Sequence, residues 1–245
     1  MTRSTNLSVD IICGKGYINP EAQKYMQLPE HHVPVTSHDH LVNVLAEYDI
    51  STARWGVSND ENNTRTSNDL WSEIDLGEAI LYKDESGLYR YNATVKAQVY
   101  YALGRSTLLL YESRRHDYVR ETEYTRSLHN SVSEKRRAGH GETPKSAILR
   151  GLREELRGDH DEEIITAPRI VLGASRHHPT VQERHYPGLL SATETHYFDV
   201  LLLPEQYRPN GYVERKYNES KQLVRATSFE WRNKDSGLPQ TLRES

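Results

Sequence analysis

The stretch that decides the reading is SVSEKRRAGHGETPKSAILRGLREELRG, residues 131–158. Thr143 has the side-chain oxygen that suits a helix cap, and Pro144 follows at the first helical position, where its missing N–H costs nothing. The spacing predicts a helix from about Thr143 to Arg157. At about 100° per residue, Ile148, Leu149, Leu152 and Leu156 form one apolar face. Ala147, Gly151, Glu154 and Glu155 lie on the other side. Two adjacent carboxylates beside small residues leave room for a hard cation and its waters. Gly139 and Gly141 let the preceding loop approach closely.

Outward from that helix the pattern is mostly strand. Ile80–Tyr82, Leu88–Tyr101 and Ser106–Ser113 are rich in Tyr, Val and Leu, with Gly87 and Gly104 as punctuation, and they predict an antiparallel meander. Further strands are predicted over 169–174, 189–203 and 222–231. Between the meander and the helix runs a basic stretch, Arg114 to Arg137, offset by Glu121, Glu123 and Glu134 and read mainly as solvated hairpin surface. Ahead of the strands, residues 1–37 read as an extended arm interrupted by Pro20, Pro29 and Pro34. Two short helices follow, through Leu41–Tyr48 and over 69–78. The first covers the sheet or forms a homodimer interface; the sequence leaves both open. The expected domains are an extension over 1–79, a main domain over 80–235 and a polar, frayed tail over 236–245. This order predicts an α/β or α+β sandwich on a mixed sheet, not a doubly wound parallel fold.

Composition narrows the class. The 245 residues hold 31 Lys+Arg against 35 Asp+Glu, a formal net charge of −4 that argues against general, sequence-independent DNA binding. No apolar run approaches the roughly 20 residues of a membrane helix. The single cysteine, Cys13, excludes an intramolecular disulfide and fits a reducing, cytoplasmic setting. Sixteen Tyr against two Phe suit half-buried strands with wet rims.

At the helix and its preceding loop the sequence resembles the Nudix hydrolase family. The family box reads Gly, five residues, Glu, seven residues, then Arg-Glu-aliphatic-any-Glu-Glu-any-Gly-aliphatic. Glu142 fills the first Glu, Arg150 the Arg, Leu152 the aliphatic position, and Glu154 and Glu155 the Glu-Glu pair. Arg136 stands where the box has its first Gly, Gly151 where it has the Glu of Arg-Glu, and Arg157-Gly158 where it closes. The strand regions on both sides extend the resemblance to roughly 80–232.

The resemblance implies an α/β/α sandwich with a mixed sheet and metal-dependent hydrolysis of a small-molecule diphosphate. Mg²⁺ or Mn²⁺ would be held by Glu154 and Glu155, and Glu142 and Arg150 would pair to fix the loop against the helix. A carboxylate would act as base: Glu154, Glu155 or an outsider, of which Glu194 is the best placed, on a strand face with His196, Phe198 and Val200. Candidate substrate contacts are Arg137 and, in an expected loop over 176–188, Arg176, His177, His178, Arg184 and His185. Adjacent histidines point apart, so His177-His178 is not a metal pair. Two rivals follow from Gly151: a ligand-binding module with weakened catalysis, and a diphosphate isomerase or lyase on the same scaffold.

Overall fold

A computed structural model describes residues 31–57, 64–128, 132–157 and 164–243. Most of the arm expected over 1–37 therefore lies outside the described residues, as does Gly158. The architecture is mixed α/β, dominated by one large, mostly antiparallel sheet with few helices. The helices are α1 (His38–Glu47), α2 (Ser67–Asp75), α3 (Pro144–Glu155) and α4 (Gln240–Arg243). The strands are β1 (His32–Val33), β2 (Ala79–Asp84), β3 (Gly87–Leu103), β4 (Ser106–Asp117), β5 (Thr122–Leu128), β6 (Val132–Arg136), β7 (Arg169–Gln182), β8 (Leu190–Leu201), β9 (Tyr212–Tyr217) and β10 (Leu223–Asn233).

The 17-residue β3 is the axis. Along one edge it pairs in turn with β2, β6 and β4, all antiparallel; along the other it runs parallel to β8 from Tyr89 to Tyr100. Strand alternation explains how the faces divide. Val95, Ala97 and Val99 of β3 and Phe198 and Val200 of β8 pack with Ala147, Ile148 and Leu152 of α3. The opposite face carries Leu81 and Leu88, which pack with Leu41, Val44 and Leu45 of α1 and Leu70 of α2. The apolar face of α1 is thus buried within its own chain.

Several expectations are corrected. The basic stretch contains two strands, and one of them, β6, is wedged against β3 rather than lying on the surface. The region 176–188, expected as a loop, continues β7 as far as Gln182. Its irregularity comes from register shifts at Leu172/Ala174 and His178/Val181, which a periodicity argument reads as the end of a strand. The tail, expected to fray, forms the turn of α4 and buries Leu242 against Tyr100 and Leu109.

The buried ion network between α2 and the sheet has no counterpart in the sequence reading. Glu73 of α2 is 5% exposed and accepts from Arg90 Nε at 2.9 Å and Nη2 at 2.6 Å, from Lys135 Nζ at 3.1 Å, and from Arg65. Arg90 also donates to Glu183 at 3.1 Å, and Lys135 to Glu78 at 2.9 Å. Burial pushes the Glu73 carboxyl up, but the Arg90 charge and hydrogen bonds and Lys135 outweigh it and hold the group below the usual range.

Candidate functional site

The loop between β6 and α3 is built from backbone geometry. A 3₁₀ turn over Ala138–His140 is closed by Gly141 at φ +71°, a conformation that favours glycine. Gly139 presses on the turn after α2: a Cβ there would lie 3.0 Å from Gly77 Cα. Thr143 then caps α3, its hydroxyl accepting from the Ser146 N–H at 3.1 Å.

Glu142 and Arg150 tie this loop to the helix. Arg150 Nε donates to Glu142 Oε1 at 3.0 Å and Nη2 to Oε2 at 3.2 Å; the same Nη2 donates to the Lys135 carbonyl at 2.8 Å. Glu142 Oε2 also accepts the Arg137 backbone N–H at 2.7 Å. Burial pushes Glu142 up, yet the Arg150 hydrogen bonds and the Arg137 N–H hold it below the usual carboxylate range. Glu142 in turn drives Arg150 further into its charged form.

The face carrying Ala147 and Gly151 is not open space. Both residues are buried, and Leu149, expected in the apolar face, is only partly so. At Gly151 a Cβ would meet Glu134 Cβ at 3.0 Å and Val132 Cγ1 at 3.2 Å. The small residues bring α3 close to β6 instead of leaving a cavity for a cation.

Glu154 and Glu155 diverge, as consecutive helical residues must. The Glu154 side chain is 46% exposed, 3.7 Å from Arg150 Nη1. Glu155 is half-buried. Burial, followed by the charges of Glu214 on β9 and Glu134 on β6, pushes its carboxyl well up; Lys216 offsets part of this and Glu112 on β4 adds to it. Glu214 is paired with Lys216 at 3.0 Å and Glu112 with Arg115 at 3.0 Å. Among the described residues, no three His, Cys, Asp or Glu side chains converge closely enough to hold a metal by themselves.

Glu194 belongs to a separate group. It is 1% exposed and accepts from Tyr91 O–H at 2.6 Å, and its Oε2 lies 3.5 Å from His196 Nε2. His196 Nδ1 is 2.8 Å from Ser175 Oγ.

The proposed substrate contacts are scattered. Arg137 stands at the start of the α3 loop, its Nε buried without a hydrogen-bond partner among the described residues. Alternation along β7 splits the next three: His177 pairs in register with Glu194, whereas Arg176 lies 5.3 Å over the Tyr197 ring and His178 Nε2 is 3.1 Å from Thr195 Oγ1. Arg184 and His185 are exposed in the loop after β7, where the His185 carbonyl accepts the Arg65 N–H at 2.9 Å. Tyr186, from the same loop, is buried against Trp55.

Sequence reasoning missed Glu134, Glu214 and Glu112 around Glu155, and Tyr91 and Ser175 around Glu194. The alternation in Val132-Ser133-Glu134-Lys135-Arg136 was the available signal for Glu134. Neither models of known protein families nor characterised proteins match this chain. Among the described residues, no helix is long and apolar enough to cross a membrane.

Proposed function

We propose that this chain is a Nudix-like protein, with an α/β/α arrangement around its mixed sheet, that hydrolyses a small organic diphosphate in the cytoplasm with Mg²⁺ or Mn²⁺. The observation that carries the reading is Glu155. It is half-buried at the end of a helix locked to its preceding loop by Glu142 and Arg150, and burial with the charges of Glu214 and Glu134 raises its carboxyl.

The residues fit a divalent ion by the chemistry of the donor set. Mg²⁺ is usually held by one or two carboxylates and completes its shell with water and phosphate oxygens, so a three-carboxylate cage is not required. Glu155 and Glu154 would be the residues to hold the ion. Once bound, the ion would neutralise the diphosphate and lower the pKa of a water. The protein's own part is orientation. Arg150 is committed to Glu142, and Arg137, in the loop ahead of the helix, has an Nε without a hydrogen-bond partner among the described residues that could meet a phosphate oxygen reaching that loop.

A second reading, a ligand-binding module without turnover, is favoured by the packing of Gly151. A side chain there would crowd Glu134 and Val132. Turnover separates the two readings. Purified protein with Mg²⁺ or Mn²⁺ is offered nucleotide sugars, dinucleotides, nucleoside triphosphates and prenyl diphosphates. Hydrolysis predicts release of phosphate or a monophosphate, lost in Glu155→Gln. Thermal stabilisation by one of these compounds without product would establish the binding module. An isomerase or lyase would return a rearranged carbon skeleton.

A further inference from the structure

Apart from the α3 carboxylates, four polar side chains from β7, β8 and β3 lie in a line on one face of the sheet. Ser175 Oγ is 2.8 Å from His196 Nδ1, His196 Nε2 is 3.5 Å from Glu194 Oε2, and Glu194 Oε2 accepts from Tyr91 O–H at 2.6 Å. The strand register sets the spacing: Ser175 stands opposite His196, and Glu194 lies two residues before His196 on the same face of β8. His196 and Glu194 are each 1% exposed, whereas Ser175, on a strand that pairs only with β8, is half-buried.

Burying a carboxylate and an imidazole this deeply is costly unless their polar atoms are used. Glu194 Oε1 and His196 Nε2 nevertheless lack hydrogen-bond partners among the described residues. With the proton of the neutral ring on Nε2, the side that faces Glu194, Nδ1 is left as an acceptor for the Ser175 hydroxyl proton. Tyr91 pins the carboxylate so that it cannot swing away from the ring. A nucleophile within hydrogen-bond reach of a base, with the base oriented by a third group, is the arrangement that activates a serine. The 3.5 Å step is of the looser kind found before substrate binds.

We infer that Ser175 is an activated nucleophile, with His196 as its general base and Glu194 as the residue that positions His196, and that the chain hydrolyses small carboxylic esters at the β7 edge. In the first half-reaction Ser175 Oγ attacks the ester carbonyl carbon and His196 Nδ1 takes the hydroxyl proton. The C–O bond to the alkoxy group breaks, and the alcohol leaves with that proton. In the second, water attacks the acyl-Ser175, His196 takes the water proton and returns it to Ser175 Oγ, and the carboxylic acid departs. No metal and no α3 residue takes part, so this activity stands or falls independently of diphosphate hydrolysis.

The test uses the full chain, a fluorophosphonate probe read by peptide mass spectrometry, and 4-nitrophenyl acetate as substrate. The inference predicts a covalent adduct on Ser175 and saturable esterase activity. Ser175→Ala removes both while its melting curve stays cooperative. Glu194→Gln lowers the labelling rate by about tenfold or more, because the ring loses the group that fixes its tautomer. Absence of an adduct on Ser175 in folded wild-type protein would overturn the inference, as would ester turnover unchanged in Ser175→Ala.

Discussion

Gly151 packs directly against the Glu134 side chain: a methyl group on the glycine would lie 3.0 Å from the Glu134 Cβ. The glycine lets α3 ride close to β6. Overpacking costs about 1–3 kcal/mol, while replacing a mid-helix glycine returns about 1 kcal/mol of helix propensity. Gly151→Ala should therefore cost at most about 2 kcal/mol. Gly151→Glu, which must push β6 away, should cost about 2–3 kcal/mol and should not raise diphosphatase activity. Urea unfolding and turnover measured on both variants check this.

Arg150→Ala removes three hydrogen bonds, two to Glu142 and one to the Lys135 carbonyl. A loss of about 2 kcal/mol is expected from charge-assisted bonds at a partly buried site. The pH dependence follows from the depressed Glu142 carboxyl. Its stabilisation is present above the ordinary glutamate value and is lost as pH falls through the lower folded-state value. The wild type and Arg150→Ala should therefore converge in acid. A stability gap that stays constant from neutral pH to acid would show that the pair is not the source.

Glu73→Gln tests the ion network that docks α2 on the sheet. It leaves Arg90 with Glu183 as its charged partner and takes the shared carboxylate from Lys135 and Arg65, and breaking a buried pair costs about 3–5 kcal/mol. Chemical denaturation should show that loss. The same substitution at Glu123, whose contacts are half-exposed, should change stability by less than about 1 kcal/mol.

Glu155 carries the opposite sign. Its carboxyl is held above its ordinary value, so the folded state favours the protonated form. Its contribution to stability is full below the unfolded-state value and is lost as pH rises through the folded-state one. Glu155→Gln should therefore melt higher than wild type near neutral pH, and the two should coincide in acid. Thermal melts across pH in a chelator check this.

Legibility differed between parts of the chain for physical reasons. The α3 cap, the Pro at its first turn and the meander over 80–113 follow from local chemistry, so they could be read directly from Thr143, Pro144, Gly87 and Gly104. The mixed character of the sheet also followed from element order. The parallel pairing of β3 with β8 and the wedging of β6 depend on contacts far apart in the chain, which no local pattern encodes. The spacing of Glu142 and Arg150 was visible, and in the structure the two are ion-paired. The acids around Glu155 come from β4, β6 and β9, and Ser175 meets His196 only through strand register. Such groupings exist only once the sheet has formed.

The central claim is that Glu155 holds a divalent cation where a diphosphate is hydrolysed. Mn²⁺ binding, titrated by electron paramagnetic resonance in wild type and in Glu155→Gln, tests it most directly. The account predicts binding by the wild type, tightened by an added diphosphate, and at least tenfold weaker binding by the variant. Equal binding by the two proteins, or none by either with diphosphate present, would contradict it.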